Sequence, residues 1–299
     1  MAKGTGDSGH TRLQRTMRMV SHRATWWIGR SFKRAIPLVF VVGYPKSGTT
    51  WMCQLAADYL QLPFPRYSIL PIGCPAVVHG HETVSARDPR GVYSIRDGRD
   101  ALVSFYFHLA RELPEGENPQ LTRRQREIFP GLTNKADVAR NFPRFLERQM
   151  SRPTASHANW GDHVMSYLEA KRPDWAMLKY EDLLGDGPRA LGDAMATITG
   201  APADGEKVRS ALDRFSFAKQ AGRKAGQENR ASFLRKGQAG DWQNHFTREV
   251  AEVFDRHCGR ALIGAGYEAD NAWVARCPER IEADAARPSA GGAAVGGAA

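Results

Sequence analysis

Gly43-Tyr44-Pro45-Lys46-Ser47-Gly48-Thr49-Thr50-Trp51 is the stretch on which the reading turns. A triphosphate loop has the pattern G-x-x-x-x-G-K-S/T. Gly43, Gly48 and Thr50 stand in that register, but Thr49 occupies the lysine position and Lys46 lies three residues earlier. Such a loop still cradles a tetrahedral anion with backbone N–H groups and the start of a helix. Ser47, Thr49 and Thr50 add hydroxyl donors, and Trp51 offers a face for a purine. Its flanks supply the context. Pro37 to Val42 is a continuous apolar, β-branched run, the pattern of a buried parallel strand. Gly48 to Leu60 then places Trp51, Leu55 and Tyr59 on one helical stripe.

Further strands are expected at Ala76–Val78, Gly91–Ile95 and Trp175–Lys179. Helices are expected over 98–109, 136–150, 160–170, 189–199, 205–214 and 247–262, with Asp97 or Asp100 near the first of these. Strands alternating with helices predict an α/β fold: one domain, with a central parallel β-sheet flanked by helices on both faces and a P-loop-like turn. The domain is read as 36–270, preceded by a basic arm at 1–35 and followed by an extension at 271–299 that ends in a Gly/Ala-rich, disordered tail. A short amphipathic helix is expected at Thr25–Arg34, carrying Trp26 and Trp27, either packed on the domain or touching a membrane surface. Residues 113–134, polar and with three prolines, read as a loop or lid over substrate.

The chain of 299 residues carries 42 Lys and Arg against 32 Asp and Glu, a net charge of +10, which favours an anionic ligand. No zinc spacing or aromatic RNA-binding motif turns that charge toward nucleic acid. The four cysteines are scattered and fit packing or surface positions in a reducing, cytoplasmic setting. No apolar run reaches the roughly 18–20 residues of a membrane span.

Two more stretches read as anion sites. In Y-S-I-R-D-G-R-D-A-L-V-S, Tyr93 to Ser104, Arg96 closes a strand and Ser104 follows eight residues on, so the two side chains converge near the strand's C-terminal end. In F-L-R-K-G-Q-A-G-D-W, Phe233 to Trp242, the adjacent Arg235 and Lys236 combine a fork with a point charge. Three such sites, with no acid closing the strand at Ile95, do not suit ATP with magnesium. They suit a ligand with a 5′ anion chain and a separate 3′-phosphate, 3′-phosphoadenosine 5′-phosphosulfate (PAPS).

The ensemble resembles the PAPS-dependent sulfotransferases, most closely the cytosolic-type branch. Y-P-K-S-G-T-T-W is similar to that family's 5′-phosphosulfate loop, Arg96 to Ser104 to its 3′-phosphate motif, and R-K-G-x-x-G-D-W from Arg235 to its C-terminal signature. Y-E-D at Tyr180 and S-F at Ser216–Phe217 are similar to segments near the adenine. The resemblance implies that Lys46, with Ser47, Gly48, Thr49 and Thr50, holds the phosphosulfate. Lys46 would steady the bridging oxygen. Trp51 and Phe217 would sandwich the adenine, with Tyr180 and Ser216 beside it. Arg96, Ser104, Arg235, Lys236 and Gly237 would hold the 3′-phosphate, and Ser104 would also belong to the catalytic set with Lys46. The family's base is a histidine in K-T-H or K-S-H; here the strand ends V-V-H-G-H-E, Val77 to Glu82. His81 then takes the base position. His79 replaces the lysine, becoming a rival base and a group expected to titrate near neutrality. No metal is required on this reading, because cations already clamp the leaving phosphate.

The acceptor is expected to be a small molecule, lipid or glycan, with walls from loops near 62–74 and 113–134 and from Phe64, Tyr67, Phe105, Tyr106 and Phe107. A P-loop kinase, needing a lysine at Thr49, is the rival enzyme. A catalytically inactive nucleotide-binding protein is the rival from another class.

Overall fold

The computed structural model describes residues 12–224, 226–229, 232 and 235–281. The first eleven residues of the basic arm, Phe233 of the third anion motif and the Gly/Ala-rich tail at 282–299 lie outside the described residues.

A four-stranded parallel sheet forms the centre: β1 (Leu38–Val42), β2 (Ala76–Gly80), β3 (Gly91–Ile95) and β4 (Trp175–Lys179), in the order β2-β1-β3-β4. Val42 pairs with Gly80 on one side and Tyr93 on the other, so β1 is flanked on both edges where it ends. Helices follow in chain order: α1 (Arg12–Ser31), α2 (Thr49–Leu60), α3 (Gly98–Ala110), α4 (Arg123–Ile128), α5 (Val138–Ser151) and α6 (Trp160–Ala170). The second half adds α7 (Tyr180–Gly185), α8 (Gly187–Thr199), α9 (Gly205–Arg214), α10 (Phe217–Ala221) and α11 (Arg248–Gly264), with 3-10 turns at Asp241–Asn244 and Asn271–Arg276.

The continuous apolar run of β1 is explained by burial on both faces. Leu38, Phe40 and Val42 point into a core shared with α1, α3, α5, α6 and α11. Val39 and Val41 point into a second core with α2, α8 and α9. Alternate residues of one strand thus feed both cores. Chain direction changes sides at β1: β2 lies on one edge and β3 on the other, which opens a crevice beyond their C-terminal ends. The 43–51 loop, His79, His81 and Arg96 all sit there.

Several expected boundaries move. The N-terminal helix is α1, starting at Arg12 rather than Thr25, and it lies against the domain: Trp26 is buried, with its ring centroid 4.3 Å from that of Phe40. β2 runs two residues past Val78, so His79 belongs to the strand. The 113–134 segment holds α4, set by a Thr122–Gln125 capping box. α7 and α10 were not anticipated; each is under two turns, too short for periodicity to register.

Trp26→Ala should destabilise the protein by about 3–5 kcal/mol in urea unfolding, while Trp27→Ala, at an exposed site on the same helix, should stay within about 0.5 kcal/mol. An unchanged midpoint for Trp26→Ala would mean that α1 detaches without cost to the core.

Candidate active site

The phosphate-type loop is built from backbone constraints. Lys46 holds φ 71°, a left-handed conformation unusual for a side-chain-bearing residue, and Gly48 holds φ 83°. A Cβ at Gly48 would sit 2.9 Å from the Tyr180 ring, so glycine is required there for conformation and for space. Ser94 on β3 donates its hydroxyl to the Ser47 carbonyl at 2.9 Å, tying the loop to the next strand. Inside the loop Ser47 Oγ and Thr49 Oγ1 are buried without a partner among the described residues, as are Nε of Arg96 and Nε of Arg235. Orphaned buried donors are rare and need an occupant. Three of them, on Thr49, Arg96 and Arg235, belong to residues lining one cavity and fit a polyanionic ligand.

That cavity, about 410 Å³, is lined by Lys46, Thr49, Trp51, Arg96, Ser104 and Tyr180, and also by Phe217, Arg235, Lys236 and Gly237. The three anion motifs therefore meet in one space, as the sequence led us to expect. Ser47 contributes from behind the wall, and Ser216 does not reach it: that residue is the N-cap of α10, whose first residue, Phe217, does. Phe105 lines the cavity, whereas Phe64 lies at a separate surface hollow and Tyr67 is exposed. Tyr106 is buried with Phe129, Phe142 and Phe145, and Phe107 lies beneath Arg235, its centroid 4.7 Å from that guanidinium.

Three of the cations, Arg96, Arg235 and Lys236, are held from outside the cavity. Arg96 is buried, donates to the Gln238 carbonyl at 2.9 Å, stacks over Tyr180 at 4.8 Å and lies 3.5 Å from Asp100. Asp100 also accepts from the N–H groups of Gly240 (2.6 Å) and Trp242 (2.8 Å), which fixes the third motif to the second. Arg235 and Lys236 both donate to Asp241. Burial alone would raise the Asp241 carboxyl, but His245, Arg235 and Lys236 hold it well below the usual carboxylate range. Gly237 has φ 67°, and a Cβ there would strike the Phe217 ring at 2.5 Å. Beyond the cavity, Arg99 pairs with Asp97 and Glu268 and stacks on Trp242 at 3.9 Å, so the tryptophan of the third motif is structural.

His81 is held through its ring and through its backbone. Its Nδ1 is 2.6 Å from the Gly43 carbonyl, which can only accept. The ring proton therefore sits on Nδ1, and Nε2 keeps its lone pair. Its backbone is held at both ends: the N–H donates to Glu82 at 3.0 Å, and the carbonyl accepts from Ser156 at 3.1 Å and from His163 Nε2 at 3.2 Å. His163 in turn accepts from the Tyr93 hydroxyl through Nδ1 at 2.8 Å. Burial lowers the His81 pKa from its ordinary value, against the opposing pull of Gly43 and Glu82.

His79 projects from the same face of β2, its ring edge-on to His81 at 4.6 Å, and both line the cavity. The expectation that His79 titrates near neutrality is overturned. Burial, then His81, Arg66 and His22, hold it well below the ordinary histidine value. Lys46 is lowered to about 7 by burial and by Arg96, Arg111, Arg235 and Arg66. Two of the cavity's basic residues, His108 and Arg66, escaped the sequence reading. His108 follows Ser104 by one helical turn, a spacing that signals a shared face; burial, Lys46 and Arg111 lower it to about 4. Arg66 comes from the loop after α2 and carries no local signal.

A crevice at the switch of a parallel sheet, a left-handed loop before a helix and clamped cations at separate anion positions define a nucleotide-binding α/β enzyme. A family model described as the sulfotransferase domain matches residues 76–266, more than half of the chain; the loop at 43–51 lies upstream of that match. Human sulfotransferase 2B1 is 25% identical over 248 residues, 76% of this chain and 66% of that protein. The guinea pig (Cavia porcellus) 3-beta-hydroxysteroid sulfotransferase is 26% identical over 269 residues, 75% of this chain and 83% of that protein. A flavonol sulfotransferase-like protein of Flaveria bidentis is 27% identical over 285 residues, 79% and 85% of the two chains. The fold is shared with a mouse sulfotransferase solved with PAP, at TM-score 0.57 and 21% identity over 84% of this chain and 96% of that one. It is also shared with retinol dehydratase solved with PAP, at TM-score 0.52 and 18% identity over 85% and 94%. The chain belongs to the sulfotransferase family and is a PAPS-dependent sulfotransferase, not a kinase.

An ammonium with a pKa near 7 in the free protein regains its proton when an anion arrives. Binding of 3′-phosphoadenosine 5′-phosphate (PAP) at pH 8 should therefore take up protons, and affinity should fall as pH rises above about 7. Calorimetry in buffers of different ionisation enthalpy measures this uptake. A heat independent of buffer, or the same uptake in Lys46→Met, would show that Lys46 is not the group.

Proposed function

We propose that the chain transfers the sulfuryl group of PAPS to a hydroxyl or amine of a small-molecule acceptor, with His81 as general base. The observation that carries this is the His81 Nδ1 contact to Gly43, which aims an unprotonated Nε2 at the cavity. The donor supplies an activated sulfuryl group. The acceptor oxygen or nitrogen bonds to sulfur in line as the bond from sulfur to the bridging oxygen breaks, and the acceptor proton passes to His81 Nε2.

The chain's own residues divide the remaining work. Lys46, beside the loop hydroxyls of Ser47, Thr49 and Thr50, meets the charge that grows on the bridging oxygen, which is stabilisation realised in the transition state. Arg96, Ser104, Arg235, Lys236 and Gly237 bind the 3′-phosphate. Asp241 keeps Arg235 and Lys236 in place without presenting its own charge to the ligand, and Gly48 lets the loop approach closely. Trp51 and Phe217 flank the adenine, with Tyr180 between loop and Arg96. The orphaned nitrogens of Arg96 and Arg235 support this division, because each lacks the acceptor that a phosphate provides. Curated relatives named for steroid and flavonol substrates support a small hydroxylated acceptor. His79 stays neutral, and on this side of the cavity the fixed positive charge comes from Arg66.

His81→Ala should lower kcat by roughly 10²-fold or more with PAP affinity nearly unchanged, and His79→Ala should lower it less. Because the base works deprotonated and its pKa is lowered, the acid limb of the rate profile should fall below pH 6.5, with activity lost as pH drops through it. A reversed ranking of the two variants would make His79 the base.

The 3′-phosphate assignment has its own test. PAP should bind far more tightly than AMP, and Arg96→Ala or Arg235→Ala should each cost about 1.5–3 kcal/mol for PAP while sparing AMP. Equal calorimetric affinities for PAP and AMP in the native protein would sink it.

A further inference from the structure

Among the described residues eleven large apolar side chains are strongly exposed, and nine of them fall in two touching segments, α1 with Phe32 just beyond it, and the loop from Tyr67 to Leu70. The segments are joined: the Ile72 N–H donates to Thr25 Oγ1 at 2.9 Å, and Arg18 lies 5.0 Å over the Tyr67 ring. Along α1 the exposed residues Leu13, Met17, Val20 and Trp27 recur at four, three and seven positions, which is one stripe of a helix. Trp26 and Thr25 occupy the opposite, buried side. The stripe is therefore not the face that packs on the domain.

The charge carried by α1 and the residues just after it has one sign. Between residues 12 and 34 the sequence has seven Arg and Lys and no Asp or Glu. Arg30 is paired with Asp88 at 2.7 Å, while Arg15, Arg23, Lys33 and Arg34 are exposed. Apolar spacing of this kind also suits a helix pair, but two copies would bring arginines against arginines with no acid to offset them. An apolar stripe on a helix that itself carries cations and no acid, with the nearby Glu82 paired to His22, is complementary to an anionic lipid surface. We propose that α1 and the 67–70 loop dock the enzyme on an anionic membrane, with Leu13, Met17, Val20 and Trp27 in the interface and the arginines at the headgroups.

The position of this face gives the docking a use. A small cavity of about 150 Å³ between α1 and the loop is lined by Arg18, Thr25, Arg66, Tyr67 and His79. Arg66 and His79 also line the active-site cavity. The docked face is thus the one nearest the side of the site where the acceptor's proton is removed.

The test is co-sedimentation of the full chain with vesicles of phosphatidylcholine alone or of phosphatidylcholine and phosphatidylglycerol in equal parts. The anionic vesicles should bind it about tenfold or more tightly, and added salt should weaken that binding. The doubly substituted Val20→Ser/Trp27→Ser should lose about tenfold, and Arg15→Glu/Arg23→Glu should lose the preference for anionic lipid. All four positions are exposed, so PAP affinity and Tm should not move, which separates this failure from failure of the active-site reading. No binding, equal binding to both vesicles, or unchanged binding by both variants overturns the proposal. So does a concentration-dependent dimer in sedimentation velocity that disappears with Val20→Ser/Trp27→Ser, which would assign the stripe to a second copy.

Discussion

Concentrating like charge in a partly buried space is the constraint on which this molecule depends. Five lysine and arginine side chains line one cavity, and among the described residues no carboxylate lines it with them. Bringing ammonium and guanidinium groups together away from water is costly unless each is compensated. The compensation is placed behind the walls. Asp241 serves Arg235 and Lys236, Asp100 sits behind Arg96, and Glu228 takes a second edge of Arg235. Lys46 is the residue whose protonation gives way, falling to about 7. The fold is stable because acids hold the cations from outside, and it is receptive because none of those acids faces the ligand.

The same economy explains why acidic residues of the motifs matter as much as the basic ones. Asp100 has four relations at once: it lies near Arg96, accepts from two backbone N–H groups of the 240–242 turn and sits in the first turn of α3. A carboxylate near a helix N-terminus is favoured by the dipole, so this acid is stabilised locally while it orders a segment some 140 residues away. His81 is ordered by a similar logic without charge. Its ring is set by a carbonyl of the phosphate-type loop, and its backbone by Glu82, Ser156 and His163. Loop and His81 are thus one hydrogen-bonded unit: a shift of Gly43 would move the imidazole ring.

What the sequence made legible follows from which signals are local. β1 and α2 were readable because a doubly buried strand is apolar throughout and the following stripe has helical period. The three anion motifs were readable because glycines and paired cations are needed at fixed offsets. The length of α1 was not: with exposed apolar residues on one face and arginines interspersed, its first half shows no boundary between helix and polar arm. α7 and α10 were too short, and they exist because Tyr180 and Phe217 must be delivered to the cavity at a helix start. Arg66 was invisible because it reaches the site only through the path of the loop after α2, a tertiary fact that no spacing encodes.

The replacement of a lysine by His79 shows how a local departure is absorbed. Read alone, a histidine there implies a charge that comes and goes near neutrality. In the folded chain it stands edge-on to His81 and is buried near Arg66 and His22, so its protonated form is disfavoured twice, by desolvation and by repulsion. A lysine at that position would have added a sixth cation beside Lys46 and Arg66. With His79 neutral, the positive field on the acceptor side comes from a guanidinium that cannot lose its proton. That arrangement keeps both strand histidines in the form able to accept a proton, leaving the choice between them to geometry. Of the two, His81 has its Nδ1 committed to Gly43 and its backbone held on either side, so its ring is fixed in direction by the fold itself.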